Sequence, residues 1–135
     1  MFYFLKVVNQ ALVILRFVTE LSRKKVKNPP WTREEQVLLL DLFLRHGVVG
    51  KTHPSVIELS AFLNKAEFHA AEKRSSTFRN PNGIHLKLRD LEAGRPGYAG
   101  KWLSSSRMDR AIWAEYGNKL DEVSKDAKQI RAHFH

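Results

Sequence analysis

Four helix-start signals punctuate this chain, and none of the segments behind them alternates in the manner of a strand. Thr32-Arg33-Glu34-Glu35 has the Thr-x-x-Glu form of a capping box, in which hydroxyl and carboxylate each satisfy an orphan backbone amide of the first turn. In His53-Pro54 the proline suits a first helical position, where its missing N–H costs nothing. Asn80-Pro81 joins a strong N-cap to the same device, and Ser106-Arg107-Met108-Asp109 again has the form of a cap.

Apolar residues follow each signal at helical spacing. Val37, Leu38, Leu39, Leu40, Leu42, Phe43 and Leu44 cover most of a helix's circumference, which predicts a central core helix running until Gly47 stops it. Val56, Leu59, Phe62 and Leu63 mark a second helix ending near Asn64. Ile84, Leu88 and Leu91 form the stripe of a third, terminated by Gly94 and Pro96. Met108, Ile112, Trp113 and Tyr116 predict a fourth, and Leu120, Val123, Ala127, Ile130 and Phe134 a last one with Lys125, Lys128 and Arg131 outside. Residues 65 to 76 hold little apolar content besides Phe68 and read as a surface loop. A glycine-rich loop is expected from Arg95 to Trp102. The fold class is therefore all-α, a small compact bundle of about five helices with no internal repeat. At 135 residues and 43% hydrophobic composition, the chain suits one domain with a real core.

The beginning of the sequence differs from this body. Residues 1 to 21 are rich in Phe, Leu, Val and Ile, but Lys6, Asn9, Gln10, Arg16 and Glu20 interrupt every long apolar run, so no membrane span is expected. An amphipathic leader helix is, docking on the body or on a second copy, with membrane-surface binding the lesser alternative. The basic tract Ser22 to Lys27 and then Asn28-Pro29-Pro30 breaks it. The expected organisation is a leader helix and basic linker over 1–27 and a head domain over 28–135.

Charge narrows the partner. Twenty-three Lys and Arg face 14 Asp and Glu, a formal net charge of +9, which makes a polyanion the first partner to test. The absence of cysteine excludes disulfides, cysteine-ligated zinc and thiol nucleophiles, and it fits a reducing, cytoplasmic setting. Neither cofactor nor metal is expected. At 100° per residue Asn82, His85 and Arg89 share the side of the third helix opposite its apolar stripe, with Arg79 just before the helix begins.

Several motifs together resemble a known family. They are Asn28-Pro29-Pro30-Trp31-Thr32-Arg33-Glu34-Glu35, then His53-Pro54-Ser55-Val56-Ile57-Glu58-Leu59-Ser60 with Leu63-Asn64, then Thr77-Phe78-Arg79-Asn80-Pro81-Asn82-Gly83-Ile84 with Leu86-Lys87-Leu88, and Pro96-Gly97-Tyr98-Ala99-Gly100. In this order they look like the N-terminal head domain of ScoMcrA-like HNH endonucleases, the modification-dependent type IV restriction enzymes of phage defence. The similarity spans about residues 28 to 130, and Phe78 to Gly83 is its most specific part. It implies a front module that precedes a reader of modified DNA and an HNH nuclease. No HNH motif is present here: the six histidines are scattered and His133-Phe134-His135 lacks the further ligands a nuclease metal needs. The leader has no counterpart in the resemblance.

The leading expectation is a DNA-binding or DNA-positioning module without catalysis. Lys73, Arg74, Arg79, Lys87, Arg89 and Lys101 are the candidate phosphate contacts, and Asn80, Asn82 and His85 the candidates for approaching a groove. Trp102, with Tyr98, either stacks on an unpaired base or covers the edge of the core. A purely structural account of the same segment makes Asn80 a cap, Arg79 the partner of a carboxylate such as Glu72 or Asp90, and Gly83 a packing glycine. The alternative function is a protein-interaction or dimerisation module that docks on an HNH nuclease subunit or on a second copy through the leader helix.

Overall fold

The computed structural model describes residues 26–134, which divide into two units: 26–29 with His69–Phe78, and Pro30–Phe68 with 79–134. The leader helix expected over 1–21 and the linker up to Lys25 lie outside the described residues.

The larger unit holds five helices and no strand among its described residues: α1 (Arg33–His46), α2 (Pro54–Lys65), α3 (Pro81–Ala93), α4 (Arg107–Tyr116) and α5 (Val123–His133). The all-α expectation is met. The first four starts follow the chemistry legible in the sequence. Thr32 and Glu35 close a reciprocal capping box on α1, and Ser106 and Asp109 close another on α4. Asn80 accepts from the Gly83 amide ahead of α3, and the His53 ring accepts from the Ser55 amide ahead of α2. A 3-10 turn, Leu120–Glu122, leads into α5, so the last α-helix begins three residues after the apolar period does.

Helix α1 is the axis of the unit. Every residue from Glu35 to Phe43 is buried, and the helix touches all four others. Val56, Leu59 and Leu63 of α2, Ile84, Leu88 and Leu91 of α3, Ile112, Trp113 and Tyr116 of α4, and Val123 and Ala127 of α5 complete one core around it. Trp113 packs edge-on against Phe43 at 5.6 Å and donates its indole N–H to the Leu91 carbonyl at 2.8 Å, so one side chain joins α4 to both α1 and α3. Two apolar residues depart from the expected stripes: Leu44 and Met108 lie on exposed sides of their helix ends.

Glycine permits one close approach on which the rest depends. A Cβ at Gly94 would lie 2.8 Å from the Ser105 hydroxyl and 3.1 Å from the Arg110 amide. The end of α3 thus presses against the start of α4, and the intervening residues 95–106 leave the body as a loop.

In the smaller unit, the expected surface loop contains a 3-10 turn, Ala71–Lys73. The Asn28 side-chain oxygen accepts from the Ser75 amide at 2.9 Å, and the Ser75 and Thr77 hydroxyls lie 2.9 Å apart. The His69 ring meets the edge of Phe78, and the Arg74 guanidinium stands over the Phe78 face.

Candidate nucleic-acid interface

A basic side chain offers charge to a phosphate only if no carboxylate of its own protein has already claimed it. The candidate cations separate on this criterion. Arg79 is buried, and its guanidinium donates to both oxygens of Glu35, at 2.7 and 3.1 Å, and to the Pro30 carbonyl at 3.2 Å. The Trp31 ring lies 4.2 Å from it. Arg79 holds φ of 46°, a left-handed conformation rare for a side chain of this size, and its carbonyl is fixed there by the Ser60 hydroxyl at 2.7 Å. The expected phosphate contact is therefore an internal ion pair. Glu35 is the partner, not Glu72 or Asp90, and the same carboxylate accepts from the Thr32 amide to complete the α1 cap.

Lys87 also turns inward. Its ammonium lies 2.9 Å from the Asp109 carboxylate, which is fully buried and also accepts from the Gln36 amide group and from the backbone and hydroxyl of Ser106. A carboxylate taken out of water needs this density of donors. Asn80 is engaged as the α3 cap, and Nδ1 of His85 lies 3.0 Å from the Val49 carbonyl, which leaves that side chain half-buried. Neither Arg79 nor Lys87, both candidate phosphate contacts, presents its charge to solvent beside Arg89. A wheel places positions on a face, but it does not contain the carboxylates of neighbouring helices.

Asn82, Arg89 and Lys101 remain exposed. Arg89 stacks on Trp102, its guanidinium carbon 3.9 Å from the ring centroid, which places the basic end of α3 beside the glycine-rich loop. Trp102 is half-buried and donates its indole N–H to Asp90 at 2.6 Å. One face of its ring carries Arg89, and its N–H is committed to Asp90. Lys73 is exposed and Arg74 half-buried on the smaller unit.

Three cations that sequence reasoning passed over belong with this group. Arg95 and Arg107 flank the loop and are exposed, and the exposed Arg110 donates to the Ser105 carbonyl at 3.2 Å. Arg95 lies over the edge of the core, 5.1 Å from the Trp113 ring centroid. A signal for them existed. Residues 93 to 108 contain Arg95, Lys101 and Arg107 and no acidic residue at all, a run visible without any structure.

The loop itself is ordered by polar contacts. The Tyr98 hydroxyl accepts from the Trp102 amide at 3.1 Å, and the Tyr98 hydroxyl and ring lie so close to Gly100 that a Cβ there would collide with them. Asp90 Oδ1 accepts from Trp102 and, at 2.5 Å, from the Ser104 hydroxyl. These bonds hold Trp102, with Arg89 stacked on it, as a platform at the end of α3; the exposed Lys101 adjoins it in sequence and the exposed Arg107 follows at the start of α4. Such a platform can neutralise several phosphates without first paying to order the chain that carries them.

No group of three or more His, Asp or Glu among the described residues is placed to hold a metal ion, and no described helix is long and apolar enough to cross a membrane. Comparison of the chain with family models, with curated proteins and with solved structures finds no match.

Proposed function

We propose that this protein is a DNA-binding module that grips the phosphate backbone of duplex DNA through the end of α3 and the 95–106 loop. One observation carries the reading: Arg89, Arg95, Lys101 and Arg107 lie along or beside a loop that contains no acid, and all four are exposed with no carboxylate ion-pair partner among the described residues. Cations held in this way contribute affinity without sequence preference, because phosphates are the same at every step. Asn82, exposed in the first turn of α3, is the one candidate amide still available for a base edge.

In its setting, we propose, the chain serves as the head module of a modification-dependent HNH restriction system. The support is the motif resemblance, and the positions that carry it turn out to be folding determinants. Asn28 ties down Ser75, Arg79 neutralises Glu35 and Asn80 caps α3. The resemblance thus speaks for a shared scaffold, and the DNA reading stands on the basic loop.

The test is titration of plain, methylated and phosphorothioated duplexes by fluorescence anisotropy across a salt series. Binding at low salt that falls steeply as salt rises is the expected outcome, with plain duplex bound as well as the modified ones. No binding, or binding indifferent to salt, would overturn the reading in favour of a protein-interaction module that docks on a nuclease subunit.

A further inference from the structure

Leu103 is 91% exposed, the most exposed large apolar side chain among the described residues. A single exposed leucine is ordinarily unremarked. This one is held in place on both sides by one atom. Asp90 Oδ1 accepts from the Trp102 indole N–H at 2.6 Å and from the Ser104 hydroxyl at 2.5 Å, so residues 102 and 104 are both tethered to α3 while 103 between them points into solvent. Tyr98 fixes the Trp102 amide from a third direction. A half-buried indole donor, a hydroxyl and a carboxylate thus hold the residues on either side, and the apolar side chain between them is left in solvent.

The surroundings identify what it meets. Lys101 precedes Leu103, Arg89 lies on the Trp102 face and Arg107 follows four residues later; the loop itself has no acid, and the one carboxylate beside it, Asp90, is engaged by Trp102 and Ser104. An apolar tip set among cations does not suit the neutral pocket of a protein partner. It suits a polyanion with an apolar interior, and stacked base pairs between two phosphate backbones are that. Leucine is one of the side chains able to enter and partly unstack a base step from the minor groove, and flanking cations then hold the bent backbone.

We propose that Leu103 is a wedge that enters a base step of duplex DNA from the minor groove while Arg89, Lys101 and Arg107 hold the neighbouring phosphates. This rests on the DNA reading above and gives it a mode of binding. It makes the module a bender of DNA, which matches positioning a duplex for another domain better than reading its sequence. Flexible pyrimidine–purine steps, which unstack at least cost, are the preferred sites.

The experiment uses the full chain and short duplexes with 2-aminopurine placed at successive positions around a central TA step. Wild-type protein is expected to raise 2-aminopurine fluorescence as the step opens. Leu103→Ala is expected to abolish that rise and to weaken binding by roughly tenfold, the worth of a buried leucine less the cost of unstacking. Its salt slope and its circular dichroism stay those of wild type, since the side chain supports nothing in the fold. Leu103→Phe retains the fluorescence response. Salt-dependent duplex binding with no fluorescence response, or Leu103→Ala binding as tightly as wild type, overturns the wedge and leaves the phosphate reading standing. Failure of wild-type protein to bind duplex at low salt overturns both.

Discussion

At the start of α3, Arg79 is drawn into the protein and closes on Glu35; at its end and in the loop beyond, Arg89, Lys101 and Arg107 stay in solvent. These cations lie within one short stretch of sequence, and the sequence alone offers Arg79, Lys87, Arg89, Lys101 and Arg107 as charges of one kind. Their fates differ because of what faces them. Glu35 and Asp109 each begin a helix with a carboxylate buried under a capping box, and a buried carboxylate must be compensated, so each recruits a cation from α3 or its threshold. Residues 93–108 hold no carboxylate of their own. Asp90 does face the loop, but its Oδ1 is given to Trp102 and Ser104, and Arg89 settles on the indole. Net charge therefore says little about where a basic chain meets its partner. The uncompensated cations do, and here they lie at one end of α3.

The inward pair should respond most strongly to substitution. Arg79→Ala removes the guanidinium that bonds both oxygens of the buried Glu35 carboxylate and is expected to cost about 3–5 kcal/mol of stability, visible as a lower denaturant midpoint. Glu35→Ala should cost a similar amount and removes the α1 capping box as well. Replacing both together, Glu35→Leu with Arg79→Met, is expected to recover much of the loss and to bind duplex DNA as wild type does. Weaker binding by that double variant, once folded, would return Arg79 to the interface.

Lys87→Gln should have a smaller effect, a loss of roughly 1–3 kcal/mol, because Asp109 keeps its bonds from Gln36 and Ser106. Its salt slope for DNA binding is expected to match wild type. A shallower slope would show that Lys87 reaches phosphate despite its carboxylate.

Much of this fold is legible in the sequence, for identifiable reasons. Caps are local, so Thr32, Asn80 and Ser106 announce their helices within four residues, and the dense apolar content of α1 marks it as central. What residues do across helices is not local. The partner of Arg79 lies 44 positions away and that of Lys87 lies 22 away, and no periodicity connects them. Glu35 looked fully accounted for as a capping residue, and its second role was hidden by the first. The acid-free run after Ala93 was available to inspection, but a search built around the motif at Phe78 to Gly83 looks upstream of it.

The smallest expected effect lies away from both regions. Burial, and then the hydrogen bond from its hydroxyl to Asp126, raise the Tyr116 phenol above its ordinary value of 10.0. A group whose acid dissociation is suppressed by folding gives its full stabilisation below the unfolded value and loses it as pH rises toward the folded one. Stability should thus decline above about pH 10, more steeply in wild type than in Tyr116→Phe, as thermal melts across that range can measure. DNA binding near neutral pH is expected to be unaffected.

The division between inward and outward cations is tested most directly by the salt dependence of duplex binding in the variant Arg89→Gln/Lys101→Gln/Arg107→Gln. The fold should be retained, because none of the three compensates a buried charge. The slope of log K against log salt should become shallower by about 0.9 for each phosphate contact removed. A triple variant that is folded and binds duplex with the wild-type slope would contradict the account.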